Sequence, residues 1–311
     1  MKRVYLDYAS TTPVRKEVIK TMLPYFDQFF GNPSAIYEEG RLAKKAIETA
    51  RKQIADLLNT KSEEIIFTNG GTESINLAIF GIANFYHFQF SQPEIIISSI
   101  EHPAVLESAQ KLEKLGFKII KIDVDKKGII NLKQLENSLN KQTLLISIML
   151  ANNEIGVIEP IKKIKKIVEN FRFNNKTSFP IFHTDACQAA EYLDIKPKNL
   201  GVDLMSLNGS KIYGPKATGL LYKKEGIELE PIIFGGGQEK KYRSGTENVA
   251  GIVGLATALK LAQQEKEKES VRLKKLRDYL IKKVLQSIPK TFVNGDLKNR
   301  LPNNAHFTIL D

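Results

Sequence analysis

Short runs of aliphatic and β-branched residues recur along the chain, and each is followed by a polar cluster. "EIIFT" (64–68), "EIIIS" (94–98), "KIIKI" (118–122), "LLISIM" (144–149), "PIFHT" (180–184) and "LMSLN" (204–208) are bounded by turn signals and predict strands. Helical patterns lie between most of them. "YEEGRLAKKAIETARKQIADLL", before the first run, places Leu42, Ala46, Ala50, Ile54 and Leu57 at helical spacing. This alternation predicts an α/β fold with a mainly parallel central sheet flanked by helices. From about Glu247 to Ile288 a long, charged helical pattern predicts a connector leaving the sheet. Beyond it come a turn at Asn294-Gly295 and a strand-like "AHFTI". The expected organisation is an arm over 1–14, a large domain over 15–258, and a connector helix with an incomplete small α/β domain over 259–311.

Composition narrows the function. The 311 residues, 42% hydrophobic, suffice for one large domain or a large and a smaller one. No apolar run approaches the roughly 20 residues that span a bilayer, and "MKRVYLDYAS" has no apolar signal core, so a cytoplasmic address without membrane association is expected. The net charge of +11 could favour anionic partners. Its lysines, however, sit beside glutamates in segments such as "EKEKESVRLKKLRDYLIKKV", as solvated helix faces do, and no direct nucleic-acid binding is expected. The single cysteine, Cys187, excludes a disulfide within the chain, and with only four histidines little material remains for a zinc site.

In open α/β sheets ligands bind outside the carboxyl ends of the strands, and here those positions are polar. Asn69-Gly70-Gly71-Thr72-Glu73-Ser74 follows the first run, Glu101-His102-Pro103 the second, and Asn152-Asn153-Glu154 the fourth. Asp185 follows the fifth and Gly209-Ser210-Lys211 the sixth. "NGGTES" opening a helix has the make-up of an anion seat, although a Gly-Gly turn with Thr as helix cap has the same composition. It matches neither the dinucleotide nor the P-loop glycine pattern. A lysine able to form a Schiff base, an aspartate, a histidine, an asparagine and a phosphate seat together suit pyridoxal phosphate. Each also has a plainer reading: Asp185 as a cap, His102 as a core histidine, Lys211 as a surface lysine, Asn153 as a turn residue.

Taken in order, "VYLDYASTTPV", "GNPSAIYEEGR", "FTNGGTESINLAI", "SSIEHPAVL", "NNEIGV", "HTDACQAA", "SKIYGPKATG", "GGGQEKKYRSGTENV" and "NGDLKNRLPNN" resemble the cysteine desulfurases of the class V aminotransferase group, over essentially the whole chain. The resemblance implies a fold-type I pyridoxal-phosphate enzyme that takes sulfur from L-cysteine, leaves alanine, and supplies acceptor proteins in iron–sulfur cluster assembly or tRNA thiolation. It makes Lys211, rather than Lys216, the Schiff-base lysine. Gly71 and Thr72 would seat the phosphate, with Asn208 and Ser210 as further donors, and His102 would stack on the ring and move protons. Asn153 would meet the cofactor hydroxyl and the substrate, Asp185 the ring nitrogen, and Gln188 the ring oxygen. Thr246 would reach the phosphate of a second subunit, which implies a homodimer. Three positions depart from the family pattern. Asn208-Gly209-Ser210 stands where serine, a small residue and histidine are common, and Tyr37 stands where histidine is. The family's sulfur-accepting cysteine and substrate-carboxylate arginine are expected beyond Asp311, with Cys187 an inert packed thiol. Other class V pyridoxal enzymes, a selenocysteine lyase or an aminotransferase, share much of the pattern, as would a non-catalytic cofactor-binding scaffold.

Overall fold

A computed structural model describes residues 3–311, so the first two residues of the expected arm lie outside it. In chain order the first half contains α1 (Lys16–Met22), α2 (Pro24–Asp27), α3 (Glu38–Leu58), β1 (Ile65–Thr68), α4 (Gly71–Tyr86), β2 (Glu94–Ser98), α5 (Pro103–Glu113), β3 (Lys118–Ile122), α6 (Leu132–Ser138) and β4 (Thr143–Ser147). The second half contains α7 (Ile161–Asn175), β5 (Ile181–Asp185), α8 (Pro197–Leu200), β6 (Leu204–Asn208), β7 (Gly219–Lys223), α9 (Val249–Ser287), β8 (Thr291–Val293) and β9 (Phe307–Ile309).

Seven strands form one sheet in the order β1-β7-β6-β5-β4-β2-β3. Every pair is parallel except those made by β7, which runs against both β6 and β1. All six strands expected from sequence are present, and β7 is the strand that the pattern missed. "GLLYK" follows the turn-rich "YGPKAT", and its mixed, unalternating make-up carries no strand signal of its own. Because β7 runs against its neighbours, β1 and the parallel strands all present their carboxyl ends at one edge.

The faces of the sheet follow the two-residue period of the strands. Ile95 and Ile97, Leu145, Ile181, Leu204 and Leu221 pack with the inner faces of α4 and α5. Ile96, Ile146, Phe182, Met205 and Leu220 face the opposite way, into a core closed by α3, α7 and α9. The buried stripe of α3 is Ala43, Ile47, Ala50, Ile54 and Leu58, about one position round from the expected one. Leu42 instead opens onto a surface groove shared with Tyr25 and Phe29, because α9 packs on the neighbouring face of α3.

The helix α9 is continuous through the expected boundary at 258/259. Its first turns, from Val249 to Ala262, are buried against the large core, and Leu276, Tyr279 and Leu285 further along are exposed. The β8–β9 hairpin follows, with Gly295 at φ +83° in the expected turn.

Candidate active site

The carboxyl ends of the strands surround a cavity of about 450 Å³, within the range typical of small-molecule sites. Of the residues singled out from sequence, Gly71, Thr72, His102, Asn153, Asp185, Gln188, Asn208 and Lys211 all line it. Ser210 stands behind this wall, its hydroxyl 3.2 Å from Asn208 Oδ1. Thr246 is exposed and does not line this chain's own cavity.

Each side chain is set by its element. Gly70, at φ +128°, turns the chain out of β1, so that α4 opens at Gly71 with its first amides free of helical partners. Thr72 is therefore inside the helix and Gly70 is its cap. A Cβ on Gly71 would meet Cys187 Sγ at 2.8 Å and the Asn208 side chain at 3.5 Å, so this wall must be bare backbone. His102 caps α5, and its Nδ1 accepts the Ala104 amide at 3.0 Å. That commits Nδ1 as an acceptor and leaves Nε2 to carry or release a proton. Asp185 ends β5 buried, its Oδ1 accepting the Cys187 amide at 2.9 Å, which fixes the carboxylate plane. Asn153 Nδ2 donates to Glu154 Oε1 at 2.9 Å.

The residues that sequence reasoning missed come mainly from the arm. Asp7, Ala9 and Ser10 line the cavity, and the Ala9 carbonyl accepts from Lys211 Nζ at 3.0 Å and from Gln188 Nε2 at 2.9 Å. The Ser10 carbonyl accepts from Lys211 as well. These contacts are made by backbone, so no side-chain signal could have announced them. Ile75, Met149, Ala151, Glu154 and Cys187 complete the lining. Burial, helped by the Asp185 carboxylate, pushes the Cys187 thiol well above the usual range, so it stays protonated and unreactive.

Glu101, beside His102, is a buried acid at the floor. Its Oε1 accepts from Ser98 Oγ at 2.6 Å and from the Met149 amide at 2.9 Å, tying the end of β2 to the segment after β4. Its other oxygen has no partner among the described residues. Burial pushes this carboxyl up to about 8, against those two hydrogen bonds, which lower it.

The residues present fit pyridoxal phosphate. A backbone wall that tolerates no Cβ stands at a helix N-terminus, where an anion is favoured. An amine, a buried carboxylate, an imidazole and three amides share the same cavity.

The comparisons with known proteins agree. The class V aminotransferase model matches residues 4–310. The chain is 49% identical over 310 residues to cysteine desulfurase IscS of Dictyoglomus turgidum, covering 99% of this chain and 76% of that one. Among solved structures, a NifS-like protein superposes with TM-score 0.91 at 36% identity, over 97% of this chain and 80% of that one. SspA in complex with cysteine gives TM-score 0.77 at 41% identity, over 83% and 72%. The chain thus spans about three quarters of the length of these relatives, and it belongs to the class V aminotransferase family, among its pyridoxal-phosphate-dependent cysteine desulfurases.

Proposed function

We infer that this protein removes sulfur from L-cysteine, leaving L-alanine, with pyridoxal phosphate held on Lys211. The observation that carries the reading is the convergence of Lys211, Asp185 and His102 on one cavity walled by bare backbone at Gly71. The cofactor, when bound, supplies a ring that takes up the electrons left as the substrate Cα proton departs. Gly71, Thr72 and the first amides of α4 would seat the phosphate, with Asn208 beside them and Ser210 supporting Asn208. Asp185 would pair with the ring nitrogen and favour its protonated form. Gln188 and Asn153 would orient the hydroxyl side. Lys211 Nζ would hold the cofactor, and the Ala9 and Ser10 carbonyls, which accept from it here, would orient the amine when it is free. His102 Nε2 and Lys211 Nζ move the protons at Cα and at the leaving sulfur. The sulfur would pass to a thiolate other than Cys187, which is buried and held protonated. The solved relative bound to cysteine supports the substrate. Acceptor proteins in iron–sulfur assembly or tRNA thiolation, and a cytoplasmic setting, belong to the same reading.

A homodimer is part of this proposal. Leu6, Ile36 and Phe234 are large apolar residues at 85%, 91% and 76% exposure, more than a free surface favours, and Thr246 stands exposed on the loop after Phe234. Thr246→Ala is expected to weaken cofactor binding about tenfold while sedimentation still reports a dimer. A monomer that keeps tight cofactor would contradict the role.

Borohydride reduction of the protein loaded with pyridoxal phosphate, followed by peptide mapping, tests the central claim. The label is expected on Lys211, unchanged in Lys216→Ala, and lost from the protein when excess L-cysteine is added before reduction. A label on Lys216, or one that L-cysteine does not displace, would overturn the assignment.

A further inference from the structure

Beneath the cavity floor, one face of the sheet changes character in steps. Leu145, Ile181 and Leu204 belong to the apolar core under α4 and α5. Two residues on along β4, β5 and β6 stand Ser147, His183 and Ser206, each at 0% exposure. Two further on come Met149, Asp185 and Asn208, which line the cavity. His183 bridges its neighbours, with Nδ1 2.8 Å from Ser147 Oγ and Nε2 3.0 Å from Ser206 Oγ. Ser206 Oγ lies 2.8 Å from Ser74 Oγ, in the first turns of α4, and Ser74 Oγ lies 2.8 Å from the Leu220 carbonyl of β7.

Counting protons along this chain settles its direction. Ser147 Oγ has no partner but His183 Nδ1 among the described residues, so its hydroxyl proton goes there and Nδ1 accepts. The ring proton of the neutral imidazole is then on Nε2, which donates to Ser206 Oγ. Ser74 has one hydroxyl proton, which faces both Ser206 Oγ and the Leu220 carbonyl. A proton on Nδ1 would leave the Ser147 hydroxyl proton without an acceptor among the described residues. Burial pushes the His183 ring down to about 3, which keeps it neutral, as this pattern requires.

We propose that His183, held as the neutral Nε2–H tautomer, is a positioning residue that acts through Ser206 and Ser74. It fixes the first turns of α4, and with them the seat at Gly71 and Thr72, at one height over β5, which ends at Asp185, and β6, which leads into Lys211. The effect on the phosphate seat rests on the cofactor reading given above; the tautomer and the hydroxyl chain do not.

Nitrogen-15 NMR of the full chain labelled at histidine, with the His183 signal assigned by its loss in His183→Gln, is the first test. Nε2 is expected to carry the proton, with no titration between about pH 5 and pH 8. A proton on Nδ1, or titration in that window, would overturn the proposal. The second test titrates apo protein with pyridoxal phosphate. Ser74→Ala and His183→Leu are each expected to weaken binding about tenfold, and the double variant no further than the weaker single, because both break one chain. His183→Gln, which keeps a donor and an acceptor, is expected to stay within about threefold of the parent. Variants that melt at a lower temperature yet bind as the parent does would reduce the chain to scaffolding and overturn the positioning role alone. A parent protein that binds no pyridoxal phosphate would overturn the cofactor reading and the positioning role together. Should His183→Leu fail to fold, Ser74→Ala, which loses one oxygen at the far end, still decides.

Discussion

Gly71 and Cys187 show how closely the cavity wall is built. The sequence pattern singled out Gly71 as an anion seat and Cys187 as packing, but the contact between them, residues far apart in the chain, was not legible. Gly71→Ala would press its new methyl on Cys187 Sγ, with 2.8 Å available and the sulfur set against the Ser206 carbonyl of β6. Such overpacking costs roughly 1–3 kcal/mol. Cys187→Ala in the same chain removes the obstructing sulfur, so the double variant is expected to regain most of the denaturant midpoint lost by Gly71→Ala. A double variant as unstable as the single would mean that another neighbour sets the limit. That Lys211, His102, Asp185 and Asn153 gather at one cavity could be read from sequence, because each follows a recognisable strand. Asp7, Ala9 and Ser10 could not, since they reach the site through a tertiary turn of the arm.

Among the elements, the loop between β7 and α9 is held by a buried ion pair. Glu239, Lys240 and Lys241 are all left-handed, at φ +46°, +56° and +72°, a run that side chains disfavour. What holds them is Arg51 on α3, whose guanidinium pairs with both oxygens of Glu239 at 2.8 Å in a fully buried contact. Glu239 also accepts the Phe67 amide of β1, and Arg51 lies 4.7 Å over the Phe67 ring. Downstream, Arg243 pairs with Glu73 on α4, next to Thr72, so the loop that carries Thr246 is fastened to the helix of the proposed phosphate seat. Glu239→Ala would strand a buried guanidinium and is expected to cost about 3–5 kcal/mol by denaturant unfolding. Lys240→Gly, which relieves one left-handed residue, is expected to stabilise by up to about 1 kcal/mol. A neutral Glu239→Ala would remove the pair as the cause of the bend. The six strands with aliphatic runs were legible at this scale, whereas β7 and this loop depend on partners distant in the chain.

The molecule as a whole carries opposed proton linkages. Burial raises Glu101 from its ordinary 4.5 to about 8, and Glu159 and Glu191 to about 7. A carboxyl raised on folding contributes stability that is present below its unfolded value and lost as pH climbs through the folded one. These three therefore erode stability between about pH 4.5 and pH 8. His183 acts oppositely: depressed from 6.5 to about 3, it erodes stability as pH falls below 6.5. The acids outnumber it, so Glu101→Gln is expected to flatten the loss toward alkaline pH by a few kcal/mol, read as melting temperature at pH 5 and pH 9. Parallel curves for the two proteins would show that Glu101 is not the group titrating. Among the described residues no helix is long and apolar enough to cross a membrane. The arm has a consequence in time as well as in space. Ala9 and Ser10 are some two hundred residues from Lys211, and Thr12 is as far from its partners Ser210 and Tyr213. At ordinary rates of translation the arm leaves the ribosome roughly 10–40 s before the lysine loop exists. During synthesis, Ala9, Ser10 and Thr12 must wait without their partners, and this part of the site can close only after the chain has been made through residue 213.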